Sequence, residues 1–291
     1  MIRAVAFVGT LLLAVSLAHG APAADAVDHI VVPVSRLVRA VAFYIGALSF
    51  VAGEPEASSR LVLHLGKEKI ELMQRAGRPI PADSCSNDLW FQHLAIVVSD
   101  IDKAYAVVLR AGALPISKRP QLLPAWNRDA SGIRGAYFRD PDGHPLELSQ
   151  FPPDKGEPRW QEKDRLFLGI DHSAIAASDT DQSVAFYRDR LGLRIAGTSD
   201  NWGVEQQRLS AVPGAHLRIT TLRASSGPGV ELLQYLMPTD GRPMPVDTTA
   251  DDLWAEEIVL RAALAAHSGE WLRDPDSHAV GLVADRGEAA R

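Results

Sequence analysis

Short runs in which apolar and polar residues alternate are each followed by an apolar stripe at helical spacing, and this pairing recurs along the chain. Residues 27–32 read VDHIVV and residues 170–175 read IDHSAI, which predicts strands. After the first run, Leu37, Val41, Tyr44 and Leu48 form a helical stripe with Ser35 as its expected N-cap. After the second, Val184, Tyr187 and Leu191 repeat that stripe, with Asp179 near its start. A third run, FQHLAIVV from Phe91, leads into Ile101, Tyr105 and Val108, with Gly112 as the expected stop. These stripes read as core. Strand-like runs follow each helix, at 61–65 and 69–74, at 135–138 and 145–151, and at 216–222 and 230–236. The predicted unit is βαβββ and the fold class is α+β.

A longer period contains the shorter one. GRPIPADSCSNDLW (77–90) returns as GRPMPVDTTADDLW (241–254), IELMQ (70–74) as VELLQ (230–234), and RDPDGH (139–144) as RDPDSH (273–278). Two tandem copies are therefore expected, 27–152 with modules 27–75 and 91–152, and 166–285 with modules 166–237 and 252–285. The fourth module is truncated. From Trp90 to Arg139 is 49 positions, but from Trp254 to Arg273 only 19, which removes most of a helix and the strand after it. The segments 75–89 and 151–165, rich in Pro, Asp, Lys and Arg, read as surface linkers, one of them docked by Trp160.

Residues 1–20 have the form of a secretory signal, with Arg3, an apolar stretch over 4–18 and small residues before a cut near Gly20. The stretch is short for a membrane span. The expected product is periplasmic or secreted, with no membrane attachment after signal removal. A net charge of −6 without a basic block argues against nucleic acid as a partner. The single cysteine, Cys85, excludes an internal disulfide and reads as a passive thiol.

The chemistry lies in what the modules share. His29, His93 and His172 hold one position of the opening strand, and His29 and His172 each stand 12 residues before a VAF triplet. Glu71, Glu147 and Glu231 each lie between two aliphatic residues in a closing strand, so carboxylate and aliphatic side chains take opposite faces. If the sheet curls, two facing modules bring two His and two Glu to one point. Such mixed nitrogen and oxygen ligation suits Zn, Fe, Mn, Ni or Co as a divalent ion.

VDHIVVPV with VAFYIGAL, FQHLAIVV with FRDPDGHPLEL, and IDHSAIAASDTDQSVAFYRDRLGL together resemble the vicinal oxygen chelate superfamily. That group includes glyoxalase I, fosfomycin and bleomycin resistance proteins, methylmalonyl-CoA epimerase and extradiol dioxygenases. The resemblance implies paired βαβββ modules cupped around a metal, with His29, His93 and His172 as opening-strand ligands and Glu71, Glu147 and Glu231 as closing-strand ligands. The fourth module departs from the pattern, with Glu257 where a His is expected and Gly281 where the carboxylate is expected. At most one four-ligand site follows. Neighbouring modules would assemble His29, Glu71, His93 and Glu147; pairing across the copies would assemble His93, Glu147, His172 and Glu231.

The resemblance implies an exported metal-dependent enzyme for a small substrate with neighbouring oxygens, of lyase, isomerase or dioxygenase type, in which Glu147 shuttles a proton. Export disfavours a glutathione-dependent reaction and labile Fe(II). The alternative is a sequestering protein of the bleomycin-resistance type, walled by Trp90, Phe91, Trp126, Tyr137 and Trp202. His144 reads as a turn or rim residue.

Overall fold

The first module runs β1 (Ala24–Val34), α1 (Leu37–Leu48), β2 (Val51–Ala57), β3 (Arg60–Leu65) and β4 (Glu68–Gln74). The second runs β5 (Gln92–Val98), α2 (Ile101–Arg110), the short β6 (Leu114–Pro115) and β7 (Gln121–Leu122), β8 (Arg134–Arg139) and β9 (Pro145–Gln150). The third contains β10 (Phe167–Ala176), α3 (Thr180–Val184) continued by a π-helical turn, β11 (Arg194–Trp202), α4 (Val204–Ser210), β12 (His216–Arg223) and β13 (Gly229–Met237). The fourth shows β14 (Glu257–Ala262), β15 (Trp271–Arg273) and β16 (Ala279–Ala284), with no helix among its described residues. The structure is a computed structural model and describes residues 23–262, 269 and 271–284; the expected signal, residues 1–20, lies outside them.

Local signals account for most helix ends. Asp179 caps α3 by accepting from the Asp181 and Gln182 amides, and Asp100 caps α2 by accepting from that of Lys103. Gly112, at φ 92°, follows the end of α2. Ser35 does not cap α1, which begins after Arg36 without a side-chain cap. Its hydroxyl instead donates to Asp142, 2.6 Å away, tying the start of α1 to the loop before β9.

The strands form two sheets, ordered β15-β16-β14-β1-β4-β3-β2 and β11-β12-β13-β10-β5-β9-β8-β6, with β7 also on β8. The first module thus joins the fourth through antiparallel β1 and β14, and the second joins the third through antiparallel β5 and β10. The segments 27–152 and 166–285 are tandem copies in the chain, but each sheet takes one module from each copy. On one face of the strands, Leu94, Ile96, Leu146, Leu148, Val230 and Leu232 join Tyr44, Tyr105 and Tyr187 of the helical segments in a continuous core. Each fully buried aliphatic side chain contributes roughly 1.5–3 kcal/mol. The alternate residues face a hollow, one in each sheet.

The GRP…DLW segments clasp the copies together. Arg78 forks onto Asp252 at 2.9 and 2.7 Å and lies over the Trp254 ring; Arg242 forks onto Asp88 at 3.0 and 2.7 Å and lies over Trp90. A Cβ at Gly77 would collide with the Asp251 carbonyl, and one at Gly241 with that of Asn87. Ser86, Asn87 and Asp88 are buried, so this linker is part interior and corrects the expectation of a surface segment. The reason is self-complementarity: the arginine of each copy meets the aspartate of the other. Trp160, 1% exposed beside Val97 and Leu168, docks the second linker as expected.

Candidate metal centre

Register places the ligand candidates in two rows across the second sheet. His172 on β10 lies opposite Ala95 on β5, which lies opposite Glu147 on β9. Glu231 on β13 lies opposite Ala174 on β10, which lies opposite His93 on β5. Paired residues share a face, so each row sets one imidazole and one carboxylate on either side of an alanine. The small methyl groups leave room above the strands for the four long side chains to converge.

Converge they do. His93 Nε2 is 3.1 Å from Glu147 Oε2, His172 Nε2 is 3.7 Å from the same oxygen, and His172 Nε2 is 3.4 Å from Glu231 Oε2. Ligand atoms of His93, Glu147 and His172 all lie within 4.8 Å of one another. All three residues are buried. His93 Nδ1 and His172 Nε2 have no hydrogen-bond partner although fully enclosed, a costly condition that a coordinated cation at His172 Nε2 would relieve. Two imidazoles and two carboxylates suit a divalent transition metal.

Neighbouring groups orient this set. A β-bulge in β10 between Ile170 and His172 breaks the alternation there. Asp171, next in sequence to His172, accepts from its Nδ1 at 2.9 Å, and Arg223 donates to Asp171 at 2.8 Å. With Nδ1 committed, Nε2 faces the hollow. Ser149 donates to Glu147 Oε1 at 2.8 Å and Thr221 to Glu231 Oε1 at 2.7 Å. Burial opposes charge on His172, but Glu231, Asp171 and Glu147 outweigh it and lift the imidazole to about 9. On Glu147 burial is outweighed by the His93 hydrogen bond and the charge of both histidines, so the carboxyl is held below its usual range. A cavity of about 340 Å³ opens beside His172, Glu147 and Glu231, walled by Tyr137, Leu209, Ile219 and Leu233.

The first sheet repeats the register with other residues. His29 lies opposite Val259, which lies opposite Gly281; Glu71 lies opposite Val31, which lies opposite Glu257. Glu257 therefore holds the place of His93, Gly281 that of Glu147, and valines those of the two alanines. His29 Nε2 reaches Glu71 at 3.5 Å, but Arg60 also pairs with Glu71 and neutralises it. A Cβ at Gly281 would lie 2.9 Å from the Trp271 ring, which occupies the space of the missing carboxylate. His29 and Glu71 meet each other and not the His93 group, which leaves the neighbouring-module arrangement unrealised because those modules lie in different sheets.

His144 is 1% exposed and sits in a turn, its Nδ1 on Asp140 and its Nε2 on the Leu253 carbonyl at 2.9 Å. Tyr44 donates to Asp140 across modules, and Tyr187 to Asp274 in the second copy of the motif. Of the five aromatic wall candidates, Tyr137 lines the cavity and Phe91 packs behind it. Trp126 and Trp202 stack on each other at 4.5 Å, and Trp90 belongs to the clasp. Sequence reading passed over Asp171, Arg223, Ser149 and Thr221. The repeated acid–histidine pair in VDH and IDH was the one signal that pointed at Asp171.

The sequence model of the Glyoxalase/Bleomycin resistance protein/Dioxygenase superfamily matches residues 26–148 and 169–286. Over 135 residues the chain is 33% identical to Virulence protein STM3117 of Salmonella typhimurium, a match spanning 44% of this chain and 85% of that one. Glyoxalase I of Zea mays shares the fold with a TM-score of 0.59 at 16% identity, over 89% of this chain and 92% of that one. With both tandem copies matched and each sheet built from one module of each copy, this chain belongs to the Glyoxalase/Bleomycin resistance protein/Dioxygenase superfamily.

Proposed function

We propose that the chain is an exported, metal-dependent enzyme of lyase or isomerase type, acting on a small molecule with two neighbouring oxygens. His93, Glu147, His172 and Glu231 would hold the ion. The observation that carries this reading is the enclosed, unpartnered Nε2 of His172, aimed at two carboxylates. A divalent ion there supplies Lewis-acid polarisation of a substrate oxygen. The Glu147 carboxylate is also the general base of the proposed reaction, taking a proton from the substrate carbon and returning it, and the Ser149 hydroxyl bonded to Oε1 orients it. Asp171 keeps His172 in the tautomer that presents Nε2. Tyr137, Leu209 and Leu233 exclude water from the reacting end of the cavity. Glu231 favours this chemistry over ring-cleaving dioxygenation. It adds a fourth protein ligand, whereas two histidines and one carboxylate leave iron the open positions that dioxygen needs.

Elemental analysis of the secreted chain, prepared without added metal, tests this. One transition-metal ion per chain is expected, retained in His29→Ala and lost in His93→Ala. Loss in His29→Ala with retention in His93→Ala would reverse the assignment.

A further inference from the structure

A groove of about 960 Å³ runs between the two sheets. Its floor is fixed. The loop after β12 is joined to β1 by hydrogen bonds from Val27 N to Ser226 O at 3.1 Å and from Ser225 N to Asp25 O at 3.0 Å. Phe151, Asp171, Thr221 and Glu231 wall both this groove and the cavity at the candidate metal centre, so the two spaces adjoin at these residues. Glu231 borders both spaces, and a molecule held beside it has the groove next to it.

The charge along the groove is unbalanced in one sense. Every carboxylate on its wall is engaged: Asp28 by Lys69, Glu68 and Glu157 by Arg159, Asp171 by Arg223, and Glu231 by Thr221. Lys67 and Arg194, also on the wall, are exposed and have no ion-pair partner among the described residues. One comes from the β3–β4 turn of the first sheet and the other from β11 of the second, so they approach the groove from opposite sides.

We propose that this groove receives an anionic tail, a carboxylate in the first instance, of the substrate whose oxygen-bearing head enters the metal cup, with Arg194 and Lys67 as its counter-charges. The inference rests on the proposed metal-dependent reading and names the substrate class for that same site. It accounts for a groove of this size lying outside the cup and yet sharing four residues with it.

The test titrates the metal-loaded full chain with 2-oxo acids as head-group probes, comparing 2-oxobutanoate with the dicarboxylates 2-oxoglutarate and 2-oxoadipate by calorimetry. At least one dicarboxylate should bind about fivefold or more tightly than the monocarboxylate, as two exposed charge contacts allow. The advantage should shrink with added salt and disappear in Arg194→Ala/Lys67→Ala, with 2-oxobutanoate binding unchanged. Equal binding of mono- and dicarboxylates, an advantage that survives the double substitution, or no binding by metal-loaded protein would each overturn the groove assignment while leaving the metal site standing. A chain that takes up no metal sinks the underlying reading and this inference with it.

Discussion

The two cups of this molecule share one register and differ in their contents. In the second sheet, alanines at 95 and 174 leave a space into which His93, His172, Glu147 and Glu231 reach. In the first sheet, valines at 31 and 259 fill the floor and pack with Met73. Arg60 neutralises Glu71, and Trp271 covers Gly281. A duplicated scaffold thus keeps its strand order while one copy of the site is closed by a few side chains. Backbone hydrogen bonding sets the strands in place in both cups; the volume and charge of four or five inward residues decide in which one imidazole and carboxylate groups converge.

The contrast breaks most sharply at the ligands. His93→Ala or Glu147→Gln should lower metal affinity by at least about 100-fold, whereas His29→Ala or Glu71→Gln should leave it unchanged. Competition with a chromogenic chelator measures both, and a similar loss in the two cups would erase the distinction. Next come the aspartates beside the histidines. Asp171→Asn should cost about 10–100-fold in metal affinity because His172 loses its orienting acceptor; Asp28→Asn should cost nothing in the same assay. A smaller effect tests the floor. Ala95→Val and Ala174→Val each copy the first sheet and should weaken metal binding by about tenfold through crowding of about 1–3 kcal/mol, with the circular dichroism spectrum unchanged. Full metal binding in both variants would show that floor volume does not separate the cups.

The smallest effect concerns the residue before the histidine position. Gln92 in the second sheet donates to Ser173, but its counterpart Glu256 in the first is a buried carboxyl that burial pushes up to about 8 from 4.5. Folding therefore takes up a proton between those values, and stability falls as pH rises from 4.5 through about 8. Glu256→Gln should unfold at higher urea than the native chain at pH 8.5, by about 1–2 kcal/mol, and lose that advantage near pH 4.5. An advantage independent of pH would mean that the carboxyl is not held neutral.

Much of this was legible beforehand because repetition removes ambiguity. The alternation around Glu147 and Glu231 predicted their side of the strand, and all six repeated His and Glu residues do face the two hollows. The departures at Glu257 and Gly281 were also visible by alignment of the copies. Strands such as β2 and β11 were not, since their exposed residues show little periodic contrast: only Asn201 and the half-buried Ser199 and Gly53 of those strands whose burial is described turn inward with any strength. The bulge that brings Asp171 onto His172 likewise leaves no mark in spacing.

The sequence alone determined the modules, their truncation and the residue types available for a metal, because each is a property of neighbours along the chain. Which modules share a sheet was decided only in three dimensions. Both pairings satisfy the same local patterns. The choice rests on contacts between distant segments: the reciprocal Arg78–Asp252 and Arg242–Asp88 clasp and the β5–β10 seam that sets His93 beside His172.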